Sequence, residues 1–201
     1  MGEPKNMSDY TPFILGIGGT VRPNSSSEKA LRVSLHAAER LGCRTSLLGG
    51  EFLAKLPLYA PESTERTDEE RVLVESILAC DGIVVATPGY HGSVSGPIKN
   101  ALDLIEETAR SERVYLEGRA FGVIVMAYGW QACGTTLVAM RSIAHALRAW
   151  PTPFGATLNA STPIFDESGN VRDAAVEGQL VLVAEQVVQF ARWRHAALAN
   201  A

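Results

Sequence analysis

Two stretches of this chain, Gly82-Ile-Val-Val-Ala86 and Phe121-Gly-Val-Ile-Val-Met126, contain no polar residue at all. A strand with one wet face alternates apolar and polar side chains, so runs of this kind are strands buried on both faces. Phe13 to Ile17 and the weaker Arg44 to Leu48 precede them as strand candidates, and Gly155 to Ala160 is a plausible fifth. Helical patterns fill the gaps. Ser26 to Leu41 puts Leu31, Leu35, Ala38 and Leu41 on one face, and Thr67 to Ala79 opens with Thr67 and Glu70 spaced as a capping box. Further helices are predicted from about Gly96 to Thr108, from Thr135 to Ala149, and through Val176, Leu180, Val183, Val187 and Phe190. Phe52 to Ser63, with Pro57 and Pro61, reads as an ordered loop, and Asp166 to Asn170 as a turn. Strands alternating with helices imply a parallel sheet covered on both sides. The expected architecture is one doubly wound α/β domain over residues 13–195, with tails at 1–12 and 196–201.

Composition narrows the classes further. Hydrophobic residues are 46% and charged residues 20%, which excludes disorder and a small disulfide scaffold. The net charge of −4 and the absence of a basic cluster argue against a nucleic-acid partner. Cys43, Cys80 and Cys133 are far apart, form no CxxC, and read as reduced thiols, so a cytoplasmic location is expected. The N-terminus lacks the apolar core of a secretory signal. Ala120 to Met140 is uncharged, but Gly129 and Gly134 break it, so it suits a strand, a loop and a helix start, and no membrane partner is expected.

In doubly wound sheets ligands bind beyond the carboxyl ends of the strands, which directs attention to three loops. After the first strand, Gly18-Gly-Thr-Val-Arg-Pro-Asn-Ser-Ser-Ser27 offers glycine N–H groups, four hydroxyls and Arg22 at a helix N-terminus. That is what a phosphomonoester needs. A dinucleotide fingerprint fails because Val21 replaces the third glycine, and a P-loop fails for want of a Lys after a glycine. Spacing alone leaves a phosphate cradle and a plain serine cap both open.

After the third strand, Ala86-Thr-Pro-Gly-Tyr-His-Gly-Ser-Val-Ser-Gly-Pro97 combines two prolines, three glycines that leave N–H groups uncovered and the flat rings of Tyr90 and His91. Such a loop suits a flat heteroaromatic ring with polar atoms along its edge. His91 as a general base would need an orienting carboxylate, and no acid follows it before Asp103. The other histidines lack metal-ligand spacing, and no Gly-x-Ser-x-Gly elbow occurs. Lys99, Asn100 and Asp103 read as a solvated helix face. The loop after the fourth strand, Ala127-Tyr-Gly-Trp-Gln-Ala-Cys-Gly134, is a candidate third wall, with Tyr128 and Trp130 equally readable as packing aromatics. Cys133 has no basic neighbour in sequence to activate it.

Together these loops resemble those of the NAD(P)H-dependent FMN reductases, within the flavodoxin-like superfamily, over nearly the whole chain. Two motifs carry the resemblance: Gly19-Thr-Val-Arg-Pro-Asn-Ser-Ser-Ser27, and Thr-Pro-x-Tyr-x-Gly-Ser-x-x-Gly-x-x-Lys-Asn-x-x-Asp from Thr87 to Asp103. The chain departs from the family where Gly89 stands in place of a common Glu and His91 in place of a common Asn. The resemblance implies a five-stranded sheet in the order 2-1-3-4-5. It implies that Thr20, Arg22, Ser25 and Ser27 hold the FMN phosphate, and that Pro88, Gly89, Tyr90, His91, Gly92 and Ser93 contact the ring. Tyr128, Gly129 and Trp130 would close the crevice, and Leu56-Pro-Leu-Tyr59 would border the ring or a partner subunit. The implied activity is hydride transfer from NADPH or NADH to FMN, then to a flavin, quinone, azo or metal acceptor, or delivery of reduced FMN to a monooxygenase. No catalytic side chain and no metal is implied. A homodimer or homotetramer is. A flavodoxin-type electron carrier and a non-catalytic flavin-binding protein are the alternatives.

Overall fold

The computed structural model describes residues 10–200. Its elements run β1 (Phe13–Gly18), α1 (Ser26–Arg40), β2 (Arg44–Leu48), α2 (Gly50–Leu53), α3 (Asp68–Ala79), β3 (Gly82–Tyr90) and β4 (Ser93–Val94). They continue with α4 (Gly96–Asp103), β5 (Ala120–Ala127), α5 (Trp130–Ala146), β6 (Trp150–Pro151), β7 (Ala156–Asn159) and α6 (Ala174–Ala199). A 3-10 turn, Leu104–Thr108, prolongs α4. The parallel ladder has the order β2-β1-β3-β5, and β6 and β7 both pair with β5 on its far side. The order 2-1-3-4-5 therefore holds, with β5 in fourth place and β6 plus β7 sharing the fifth.

The two apolar runs are apolar throughout because both faces are covered. Leu15, Ile17, Ile83, Val85, Phe121 and Val123 pack with Leu73 and Ile77 of α3, Ile98 and Leu102 of α4 and Met140 of α5. Their strand neighbours Ile14, Val84, Ile124 and Met126 turn the other way, onto Leu31 and Leu35 of α1 and Val183 and Val187 of α6. The capping box predicted at Thr67 is present: its hydroxyl accepts the Glu70 N–H, and Glu70 Oε2 accepts the Thr67 N–H at 2.8 Å. A buried cation also serves the fold. Arg119 donates to the carbonyls of Leu78, Cys80 and Tyr115, closing the C-terminal end of α3 without any carboxylate.

Several boundaries differ from the sequence reading. β3 continues four residues past Ala86, through Pro88 to Tyr90. β1 ends opposite Ala86, so beyond it β3 has an open edge, where a residue without an N–H is tolerated. The predicted fifth strand, Gly155 to Ala160, forms as β7, and a short unpredicted strand, β6, precedes it along the same edge of β5. α2 forms at Gly50–Leu53, inside and just ahead of the predicted loop. α5 begins at Trp130, five residues before the expected start, running straight through Gly134. The local cost of one helical glycine is only about 1 kcal/mol, and tertiary placement overrides it. The helix α6 includes residues 196–199, assigned above to a tail. Residues 1–9 of the predicted N-terminal tail lie outside the described residues, whereas Tyr10 and Pro12 are packed: Tyr10 stacks on His195 with ring centroids 3.6 Å apart, and the Pro12 carbonyl accepts the Arg44 N–H. Among the described residues no helix is long and apolar enough to cross a membrane.

Candidate functional site

β1, β3 and β5 are neighbours in the sheet, so the loops leaving their carboxyl ends emerge side by side. The first loop is anchored at once, because the Gly19 N–H donates to the Ala86 carbonyl of β3 at 3.2 Å. Gly19 has φ +109°, a conformation costly for any other residue. Thr20 Oγ1 accepts the Arg22 N–H at 3.0 Å, turning the chain so that the Arg22 side chain is exposed. Among the described residues no carboxylate lies within 4.0 Å of that guanidinium. Ser25 is the N-cap of α1, its Oγ accepting the Glu28 N–H at 3.3 Å, and Ser27 Oγ lies 3.4 Å from it. Both serines are buried at the helix N-terminus, where backbone N–H groups and the helix dipole favour an anion.

Glu28 is also buried there, although Ser25-x-x-Glu28 has capping-box spacing. Its carboxylate does not return to the cap. Oε2 accepts the Gly50 N–H at 2.8 Å and Oε1 takes Arg32 at 2.6 Å, so it ties α2 to α1 with its charge neutralised.

The second loop is a hairpin. Gly89 pairs with Val94 and Tyr90 with Ser93, leaving His91 and Gly92 as a two-residue turn with φ of +51° and +81°. Positive φ at both central positions is the type I′ pattern that suits strand twist. Tyr90 and His91 are exposed at the tip, Ser93 is exposed beside them, and Pro88 is buried in β3 opposite Met126. At the hairpin base, Thr87 Oγ1 accepts the Ser95 N–H at 3.1 Å. Gly89 lies directly against α5: a Cβ there would sit 2.8 Å from Thr136 Oγ1, 3.1 Å from Ala127 Cβ and 3.2 Å from the Ala132 carbonyl. Thr136 Oγ1 is itself buried without a hydrogen-bond partner.

The third loop is short. Gly129 caps α5 with no side-chain bond, and Tyr128 and Trp130 on either side of it are 84% and 64% exposed. Both rings are therefore largely uncovered where the helix begins. Cys133 is not: its thiol is buried, points at the Leu158 carbonyl, and burial raises its pKa. No carboxylate pairs with His91 among the described residues, and no His, Cys, Asp and Glu group there has the makings of a metal site.

Sequence reasoning missed one positioning residue. Asn100 does not sit idle on a solvated face; its Oδ1 accepts the Tyr59 N–H at 2.8 Å and its Nδ2 donates to the Pro57 carbonyl at 2.7 Å. This clamp holds the segment that leaves Leu58 84% exposed. Lys99 and Asp103 do form a solvated pair, with Nζ–Oδ1 at 2.6 Å. Nothing in helical spacing marks Asn100 as different from its neighbours.

Comparison with known proteins gives a consistent picture. A family model described as NADPH-dependent FMN reductase matches residues 12–161, three quarters of the chain. An FMN-dependent NADPH-azoreductase of Staphylococcus aureus (strain USA300) is 27% identical over 133 residues, covering 65% of this chain and 66% of that protein. An NADPH azoreductase of Bacillus sp. (strain OY1-2) is 39% identical over 57 residues, 28% of this chain and 32% of that protein. The chain thus spans between about a third and just under two thirds of these curated relatives. Among solved structures, an NADH:FMN oxidoreductase in its apo form superposes with a TM-score of 0.70 at 19% identity, over 89% of both chains. The NAD(P)H:(acceptor) oxidoreductase FerB of Paracoccus denitrificans gives 0.68 at 20% identity, over 89% of this chain and 98% of that one. At such identities the structural likeness establishes a shared fold.

Proposed function

The chain belongs to the NADPH-dependent FMN reductase family, and on that premise we propose that it is a flavin reductase, taking hydride from NADPH or NADH onto FMN and passing the electrons to a flavin, quinone or other acceptor. The carrying observation is the crevice at the ends of β1, β3 and β5. It joins two buried hydroxyls and a guanidinium with no carboxylate in reach among the described residues, at a helix N-terminus, to a hairpin tip and two uncovered aromatics. Those residues fit a phosphomonoester attached to a planar ring.

FMN supplies the redox chemistry when bound, and the protein binds, orients and shields it. Ser25, Ser27, Thr20 and Arg22 would hold the phosphate, helped by the first N–H groups of α1. Arg32 neutralises Glu28, so the one buried carboxylate near that helix start does not oppose an anion. Pro88, Gly89, Tyr90, His91, Gly92 and Ser93 would border the ring, and the I′ turn leaves backbone N–H groups at His91 and Gly92 open toward solvent and ligand. Tyr128, Gly129 and Trp130 would form the third wall and exclude water from the ring face. The chain needs no nucleophile or general base of its own for hydride transfer, in keeping with the buried thiol of Cys133.

The test is an anaerobic titration of FMN-loaded protein with NADPH, followed by the visible absorption of the flavin. Rapid bleaching supports the reductase; flavin that stays oxidised removes it. As to assembly, exposed Leu58, Tyr90 and Tyr128 support a homodimer or homotetramer built around the crevice, and a monomeric mass for the FMN-loaded protein would rule that out.

A further inference from the structure

A second cavity opens beyond the carboxyl end of β7, next to the crevice and sharing Trp130 with it. Its volume is about 430 Å³, within the range of small-molecule sites. Trp130, Leu158 and Val176 give it apolar surface, and Trp130 is 64% exposed. Asn159 and Thr162 add polar edges. Asn159 Oδ1 accepts the Ser161 N–H at 2.9 Å, which fixes the orientation of its amide and turns the Nδ2 donor away from that bond.

The cavity is lined by one cation, Arg172, and one carboxylate, Asp173. Arg172 lines it, with Nε donating to the Phe165 carbonyl at 3.1 Å and the Arg172 N–H donating to the Ile164 carbonyl. Both bonds fix the stem of the guanidinium and leave its two terminal nitrogens for another acceptor. Among the described residues no carboxylate lies within 4.0 Å of it. The adjacent Asp173 also lines the cavity, but its Oδ1 is committed to the Ala175 N–H at 2.8 Å as the N-cap of α6. An indole wall, an apolar floor and a stem-fixed guanidinium select a planar aromatic bearing an anionic group.

We infer that this cavity is a binding site for planar aromatic sulfonates or carboxylates, seated on Trp130 and held by Arg172. Resting on the reductase reading, it is where an aromatic anionic acceptor would dock beside the flavin crevice. The experiment is a calorimetric titration of FMN-loaded protein with 2-naphthalenesulfonate, which the reductase cannot reduce, and with the uncharged 2-naphthalenesulfonamide. Wild type should bind the sulfonate at least tenfold more tightly than the sulfonamide. Arg172→Gln should abolish that preference with the sulfonamide unchanged, Arg172→Lys should keep part of it, and Trp130→Ala should weaken both ligands. A charge-assisted hydrogen bond corresponds to a change of roughly ten- to a hundredfold. Equal binding of the two ligands by wild type, or a preference that survives in Arg172→Gln, overturns the site. Sulfonate binding without NADPH-driven bleaching would keep this cavity and remove the reductase reading; bleaching without sulfonate preference would do the reverse.

Discussion

Replacing Gly89 with alanine adds one methyl group between the hairpin and α5, and the structure says what it meets. The new Cβ would lie 2.8 Å from Thr136 Oγ1, 3.1 Å from Ala127 Cβ and 3.2 Å from the Ala132 carbonyl. Only the first neighbour can turn aside; the other two belong to the backbone of α5 and the end of β5, so the hairpin itself must lift. Overpacking of this kind costs about 1–3 kcal/mol. Loss of glycine freedom in the unfolded chain offsets about 0.4–1 kcal/mol of that. The net is a destabilisation of about 1–2 kcal/mol, or a Tm lower by about 2–8 °C for a chain of this size. Because Tyr90 and His91 ride on the same hairpin, FMN affinity should fall with it. Thr136→Ala removes the nearest clash, and its hydroxyl has no partner to lose. The double variant should therefore recover part of the loss, with a coupling of about 0.5–1.5 kcal/mol between the two sites. The assay is thermal and urea unfolding of the four proteins, with FMN titrated into each. A Gly89→Ala protein as stable as wild type, or a cycle with no coupling, would refute the close-contact argument.

Other outcomes follow from the same geometry. Arg22→Ala and Ser25→Ala should weaken FMN by roughly ten- to a hundredfold while changing riboflavin affinity little, because only FMN carries the phosphate; equal losses for both ligands in equilibrium dialysis would reject the phosphate assignment. Asn100→Ala should free the Pro57–Tyr59 segment and cost about 1–3 kcal/mol, read as faster proteolysis at Leu58, and unchanged cleavage would mean the clamp is redundant. Burial pushes the pKa of the Cys80 thiol up to about 11. The folded state therefore holds its proton after the unfolded chain has released one. Stability from this group is complete below the unfolded pKa of about 8.5 and is lost as pH rises toward 11, on the order of 3 kcal/mol in all. Unfolding free energies at pH 8 and 10.5 should differ less in Cys80→Ala than in wild type, and identical differences would show that the thiol plays no part.

The layered α/β architecture could be read from one dimension because burial on both faces writes itself into composition. Gly82–Ala86 and Phe121–Met126 have no polar residue since neither side of β3 or β5 meets water. The capping box at Thr67 and Glu70 was equally legible, being a contact between residues three apart. The three loops could be named as well, since their glycines, serines and aromatics follow directly on those strands. Spacing failed where a local rule met a distant partner. Ser25-x-x-Glu28 has the form of a capping box, yet Glu28 reaches Gly50, twenty-two residues away. Asn100 looks like a solvated residue of α4, yet it clamps a segment forty-one residues earlier. Pro88 and Gly134 should have ended their elements; an open sheet edge and the seating of α5 on β5 allowed both to continue.

What the sequence determined by itself was therefore whatever depends on near neighbours or on overall burial: strand and helix periods, caps, the positions of the loops, and the hydroxyl-rich composition of the first of them. Tertiary structure alone decided which residues from separate loops stand together, that Gly89 is required by contact with Thr136 rather than by a turn, and that Trp130 and Arg172 border one cavity. The reason is physical. Periodicity reports the environment of each residue averaged over a face, whereas a site is a set of specific approaches between segments far apart in the chain, and those distances exist only once the sheet has set the order of its strands.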